Sequence, residues 1–337
     1  MSRPSRAVPL LALALLAACS PVYVARAAAG HAGLLWRRRS IDKTIADPAT
    51  KPGLKRKLEL VVAARRFAFD RLALKRSRDF ETWTPVKGPA LTWLVEAAPR
   101  TRLEPYLFHF PLIGSFPYKG YFRRDLAVAE AASLERKGYD ATVGGAAAYH
   151  TGLWIPDPVP STLLAFGDGG LAETIIHELT HGTVSFKSRT DFNEALAVWV
   201  GRRGAVEFLQ SLGPAGAAAL KGYLEENAAD EKREALYREL RGRLADLYGG
   251  PGTDSEKLVK REAVFDWARA QAKLRGLAPL REPLNNAVVL GHSLYAPDFA
   301  PFDALFEKCG RDWKRTVAAL KKLDPRDPMG SLRAAAR

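Results

Sequence analysis

The sequence predicts a mostly helical α+β protein with a small mixed or antiparallel sheet. Three observations carry that expectation. Long stretches on both sides of the centre repeat apolar residues at helical spacing. A central stretch, 82–149, breaks into short runs rich in Val, Trp, Tyr and Thr that suit strands. After it, residues 172–200 read AETIIHELTHGTVSFKSRTDFNEALAVWV, two helical patterns joined by a polar loop. The chain has 337 residues, 47% of them hydrophobic, enough for one large or two small folded bodies.

Residues 1–18 stand outside the fold. Arg3 and Arg6 precede an apolar run, 8–18, too short to span a bilayer as a stable helix. Residues 22–36 read as a helix whose small residues at 25–30 permit close packing. Ile41-Asp42 and Asp47-Pro48 mark a turn or short helix. Residues 52–74 make an amphipathic helix, with Leu54, Leu58, Val61, Val62, Phe67 and Leu72 roughly on one side.

Strands follow at 82–86 and 90–97, separated by Lys87-Gly88-Pro89, and again at 106–113, with a turn at Gly114-Ser115. Asp125 is placed to cap a helix running to Lys137. His109, between Phe108 and Phe110, reads as structural. Residues 139–149 give a strand before the HELTH helix, and three prolines hold 154–160 extended. Helices resume at 215–248 and 255–277, where charge runs are solvated faces. Val288 to Leu290 pack, Gly291-His292-Ser293-Leu294-Tyr295 breaks the run, and 302–308 and 313–323 close the chain. Disorder is expected only in the leader and the C-terminal residues. The organisation expected is a leader (1–18), a helical segment (19–80), a core carrying sheet and both ligand helices (81–212) and a helical remainder (213–337).

Chemistry concentrates in residues 172–200. His177 and His181 lie four apart, so on a helix both imidazoles face one side and can reach one ion. Glu178 directly follows the first His, where a general base for water would stand. A catalytic zinc site takes three protein ligands and keeps one position open. Glu194, in the first turn of a second helix capped by Thr190 or Asp191, supplies the third. Lys187 occupies the place where a metzincin has its third His, which excludes that pattern. The cofactor expected is one Zn²⁺, with Glu178 as base. A solvated surface helix is the competing reading, but Leu171, Ile175, Ile176 and Leu179 argue for a buried one.

The net charge is +14, concentrated in residues 36–39, 51–57 and 65–78. Such an excess suits an anionic surface as well as nucleic acid. No nucleic-acid module appears, so a nucleic-acid partner is excluded. Of two cysteines, Cys309 follows Phe306 at helical spacing and reads as a buried, inert thiol.

HELTH followed by NEALAVWV resembles the gluzincin arrangement, an HExxH helix followed by an Asn-Glu pair on the next. More narrowly, the chain resembles a family of bacterial proteins described as aminopeptidases of the zinc type with a lipoprotein signal. Ala46-Asp47-Pro48, Gly120-Tyr121-Phe122, Asn285-Asn286, Tyr295 and Cys309 to Trp313 take part in that likeness. It implies a zincin-like core, and an edge strand that binds peptide backbone through Gly144, Gly145 and Tyr149, with His150 a weaker candidate. It further implies a late Tyr or His, Tyr295 or His292, stabilising the oxyanion. Leu16-Ala17-Ala18-Cys19 resembles a lipobox, which makes Cys19 the lipidation site. With Ser20 following, the resemblance points to the periplasmic side of the outer membrane, in the cell envelope. An ordinary secretory signal is the plainer reading.

The activity implied is peptide hydrolysis at a free amino terminus, which needs an anion to hold the ammonium. Residues 144–149 contain no acid; Glu173 and Asp168 are the substitutes, although Glu173 could equally face solvent or pair with a Lys. Val198 stands four residues after Glu194, so a carboxylate orienting a ligand His must come from elsewhere. An envelope endopeptidase, or a metal-binding lipoprotein scaffold without activity, stays open.

Overall fold

Helices dominate the computed structural model, which describes residues 21–110, 114–147, 155–293 and 298–337. The chain forms two compact units. Among the described residues, the first gathers those within 1–37, 87–147 and 230–294, and the second those within 38–86, 148–229 and 295–337. Each unit is assembled from three separate stretches, so residues 81–212 contribute to both.

The first unit is built on an antiparallel sheet. Its central strand β3 (Thr92–Pro99) pairs on one side with β6 (Tyr118–Tyr121) and on the other with β7 (Tyr139–Ala146). Alternation decides its two faces. Val95 and Ala97 bury one face against Ala127, Ala131 and Leu134 of helix α4 (Arg124–Arg136). Ala98 turns the other way, onto Ala287 and Leu290 of α9 (Asn286–Ser293). Leu236, Leu240 and Leu244, from the second part of α7 (Ala217–Gly249), pack with Phe265 and Ala268 of α8 (Asp254–Leu274). Thr253 and Glu256 close a reciprocal capping box on α8. The amino-terminal helix α1 (Pro21–Trp36) lies against Phe122, where a Cβ on Gly30 would fall 2.1 Å from the ring.

Three expectations for this unit are corrected. Gly114-Ser115 is not the turn but part of β5 (Gly114–Phe116), which pairs with β4 (Phe108–Phe110) in the register His109↔Ser115. His109 is accordingly exposed, with Nδ1 2.6 Å from Ser115 Oγ. Asp125 does not cap α4; Arg123 occupies that position and Asp125 sits in the first turn. Gly291, His292 and Ser293 do not break the run but continue α9 to its end, while Leu294 and Tyr295 of that expected break lie outside the described residues. The glycine is spent on close approach to Glu96 rather than on a break.

The second unit carries a short mixed sheet, β1 (Arg39–Ser40), β2 (Thr82–Thr84) and β8 (Val159–Pro160), antiparallel then parallel. Ser40 caps α2 (Ile41–Ala46) through its hydroxyl. Helix α3 (Pro52–Asp70) starts with Pro at its first position and buries Leu58, Val61, Ala64 and Ala68. It stops before residue 74 because Ala73 takes φ +55°, which folds Leu72 and Leu74 inward as a buried turn. Next come α5 (Asp168–His181) and α6 (Thr190–Ser211), then α10 (Ala300–Lys308), α11 (Trp313–Leu320) and α12 (Pro328–Ala336). The last was expected to be disordered; instead Asp327 caps it by accepting from Gly330 N–H. Trp199 stacks on Phe302 at 5.6 Å between centroids and meets Phe306 and Trp313. Cys309, just after α10, is half-buried and free rather than fully buried.

Candidate metal centre

Helix α5 is fixed by its apolar face. Leu171, Ala172, Ile175, Ile176 and Leu179 are all buried, which leaves Glu173, His177, Glu178 and His181 on the remaining surface. At its start Asp168 accepts from Arg56 and Lys57 of α3, at 2.7 and 2.8 Å. These cations hold the carboxyl below the usual carboxylate range; the Arg56 hydrogen bond is the largest contribution. Helix α6 lies close alongside. A Cβ on Gly201 would fall 3.1 Å from the Glu173 carbonyl and 3.3 Å from His177 Cβ, so a side chain there would press on α5.

A tight connection returns the chain from α5 to α6. Gly182 ends α5 in right-handed helical geometry, and Val184 N–H still bonds the Thr180 carbonyl. Neither Thr190 nor Asp191 caps α6: Arg189 stands at that position without a side-chain cap, and both residues belong to the first turn. Asn193 does the closing. Its Oδ1 accepts from Phe186 N–H and its Nδ2 donates to Phe186 C=O, both at 2.8 Å. That pair of bonds locks the loop to the helix one residue before Glu194. Phe186 also packs on Phe192 at 5.4 Å.

Two imidazoles and a carboxylate then converge. His177 Nε2 and His181 Nε2 are 3.2 Å apart, His177 Nε2 lies 3.4 Å from Glu194 Oε2, and His181 Nε2 lies 3.6 Å from Glu194 Oε1. Ligands about 2.0–2.1 Å from a tetrahedral zinc stand roughly 3.3 Å from one another. The three donors match that edge length. Among the described residues, they are the group of His, Cys, Asp or Glu close enough to share an ion. Burial lowers the His177 pKa, but the Glu194 hydrogen bond and the charges of Glu178, Glu194 and Glu173 outweigh it, so the net shift is upward. The surrounding carboxylates therefore favour the protonated ring. Glu178 is half-buried beside His177 and contributes to that field.

Both acids considered for an ammonium are engaged. Glu173 accepts from Tyr223 O–H at 2.8 Å and lies 3.7 Å from Arg202 Nε, rather than facing solvent or a lysine. Burial and Glu173 push the Tyr223 hydroxyl upward, so it stays a donor. Asp168 is committed to Arg56 and Lys57. His292 belongs to the first unit, on α9, stacked flat on Tyr237 at 3.9 Å. Burial and the Arg233 and Arg281 charges depress its pKa and keep it neutral. Gly144 and Gly145 lie in β7, and a Cβ on Gly145 would fall 2.9 Å from Ala90 Cβ. The outer carbonyls of β7 are partly taken: Ala141 accepts from Asn285 Nδ2 at 3.0 Å and Val143 accepts from Arg281. Cys19, Tyr149, His150 and Tyr295 lie outside the described residues.

Sequence reasoning missed the Asn193 clasp, the Glu173–Tyr223 bond and the close approach at Gly201. Only the first left a signal, an Asn directly before the ligand Glu.

A family model described as "Putative aminopeptidase" matches residues 22–331. Neither a curated protein nor a solved structure matches the chain.

Proposed function

Because the chain belongs to the "Putative aminopeptidase" family, we propose that it is a zinc peptidase with a zincin-like core. In it His177, His181 and Glu194 hold one Zn²⁺ and Glu178 is the general base. The observation that carries this reading is the 3.2–3.6 Å spacing of the three donor atoms. When bound, the ion supplies Lewis acidity to the scissile carbonyl and to the attacking water. Glu178 removes a proton from that water as its oxygen bonds to the carbonyl carbon. The C–N bond then breaks, and Glu178 returns the proton to the leaving amine nitrogen. Tyr295 is the proposed donor to the oxyanion. The Gly144–Gly145 strand, with Tyr149 beyond it, is the proposed contact for substrate backbone. Cys19 is the proposed lipid attachment, tethering the protein in the cell envelope at the periplasmic face of the outer membrane.

Metal analysis of the purified protein together with hydrolysis of unblocked peptides tests the proposal. The expected result is one zinc per chain, with turnover abolished by chelation and restored by zinc. Metal retained by His181→Ala at the wild-type level would overturn the ligand assignment. The same peptides with acetylated amino termini separate an exopeptidase from an endopeptidase.

A further inference from the structure

In the second unit, cations gather where no acid answers them. Arg39 of β1, Lys43 of α2 and Lys51, the residue before α3, line one cleft of about 580 Å³. All three are exposed, and none makes an ion pair among the described residues. The rest of α3 differs: Arg56 and Lys57 are both tied to Asp168, and Arg65 lies 3.7 Å from Glu81. The floor of the cleft is already satisfied. Trp83 Nε1 donates to Thr44 Oγ1 at 2.9 Å, and Thr44 and Thr50 donate their hydroxyls to the Ser40 and Thr44 carbonyls, both at 2.7 Å. The Arg39 guanidinium lies over the Trp83 ring, 5.7 Å from its centroid, which restrains its swing. Asp47 is the one acid of the lining, and its Oδ1 accepts from Ala49 N–H at 2.9 Å. Helix α3 adds to the same field, because it opens with no side-chain cap and no acid in its first turn.

We propose that this cleft is a docking surface for an anionic phospholipid membrane, whose headgroup phosphates sit among Arg39, Lys43 and Lys51. Charge complementarity names the class of partner, since ammonium and guanidinium groups only donate and phosphate oxygens accept. Magnitude chooses lipid over free phosphate. Exposed cations hold one small anion weakly in water, and salt screens them further. A membrane face presents many phosphates together, so each cation adds its own increment to a single binding event. The inference goes beyond the peptidase reading and depends on neither the zinc nor the tether at Cys19.

Lysine footprinting of the full chain on vesicles tests this. Acetylation is read at each lysine by mass spectrometry, so an anchor that inserts into every vesicle does not mask the result. Vesicles of about seven parts phosphatidylcholine to three parts phosphatidylglycerol should lower labelling of Lys43 and Lys51 about fivefold or more relative to pure phosphatidylcholine. High salt should restore it. Arg39→Gln should return Lys43 labelling most of the way to its level on neutral vesicles. Lys51→Gln, read at the same lysine, serves if that variant does not fold. Equal labelling on the two kinds of vesicle, or protection undiminished in both variants, would overturn the proposal. So would equal protection by inorganic phosphate on phosphatidylcholine vesicles, which would make the ligand a free anion.

Discussion

Two buried polar clusters in this protein look alike by composition and behave oppositely. In the first unit Asp140 is gripped by Arg261 at 2.8 and 3.2 Å and by Asn286 N–H at 3.0 Å. Asn286 in turn donates to the Pro99 carbonyl at 2.8 Å and accepts from Tyr248 O–H at 2.9 Å. Each acceptor faces a donor, so the network pins β3, β7, α8 and α9 together. In the second unit, the ring nitrogens of His177 and His181 and the Glu194 carboxylate converge at 3.2–3.6 Å. A protein that wanted only rigidity there would oppose acceptors with donors. Complementary pairing marks structure; the convergence of three possible ligands is what the proposed metal centre rests on.

That contrast can be broken most sharply at the base. Glu178→Gln should leave zinc content unchanged and lower turnover by about 10³-fold or more, measured on unblocked peptides against metal-loaded wild type. Next comes the structural cluster: Asp140→Ala strands a buried guanidinium and should cost about 3–5 kcal/mol in denaturant unfolding. Zinc affinity of whatever fraction stays folded should be unaffected. If instead zinc binding fails before folding does, the two clusters are not separable in the way described.

Asn193→Ala sharpens the boundary between the two kinds of cluster, since it loosens the clasp without removing a ligand. Zinc affinity, read by competition with a chelator, should fall about tenfold, with a stability loss of about 1–2 kcal/mol. Unchanged affinity would reduce Asn193 to a loop residue. The smallest effect belongs to Asp168. Its pKa is depressed, so its ion pairs stabilise fully at neutral pH and lose that contribution as pH falls through the depressed value. Asp168→Asn should therefore cost at most about 1 kcal/mol at neutral pH, a difference that disappears in acid.

The HExxH spacing and the Glu that follows it were legible because helical periodicity alone puts residues four apart on one face. The long helices were legible for the same reason. Caps were not: Asp125, Thr190 and Asp191 are all good capping types, yet each lies inside its helix. A cap depends on where the preceding chain arrives, which local sequence does not encode. The break read into residues 291–295 does not begin at Gly291, because a glycine that permits close packing looks the same in sequence as one that ends a helix.

By itself, then, the sequence determined which side chains could chelate and that two of them share a helical face, since both follow from backbone geometry. Only the tertiary structure decided that Glu194 returns to meet them and that Glu173 and Asp168 are already bound. Those outcomes depend on which surfaces are pressed together across long stretches of chain, where a shift of one helical turn would exchange every partner.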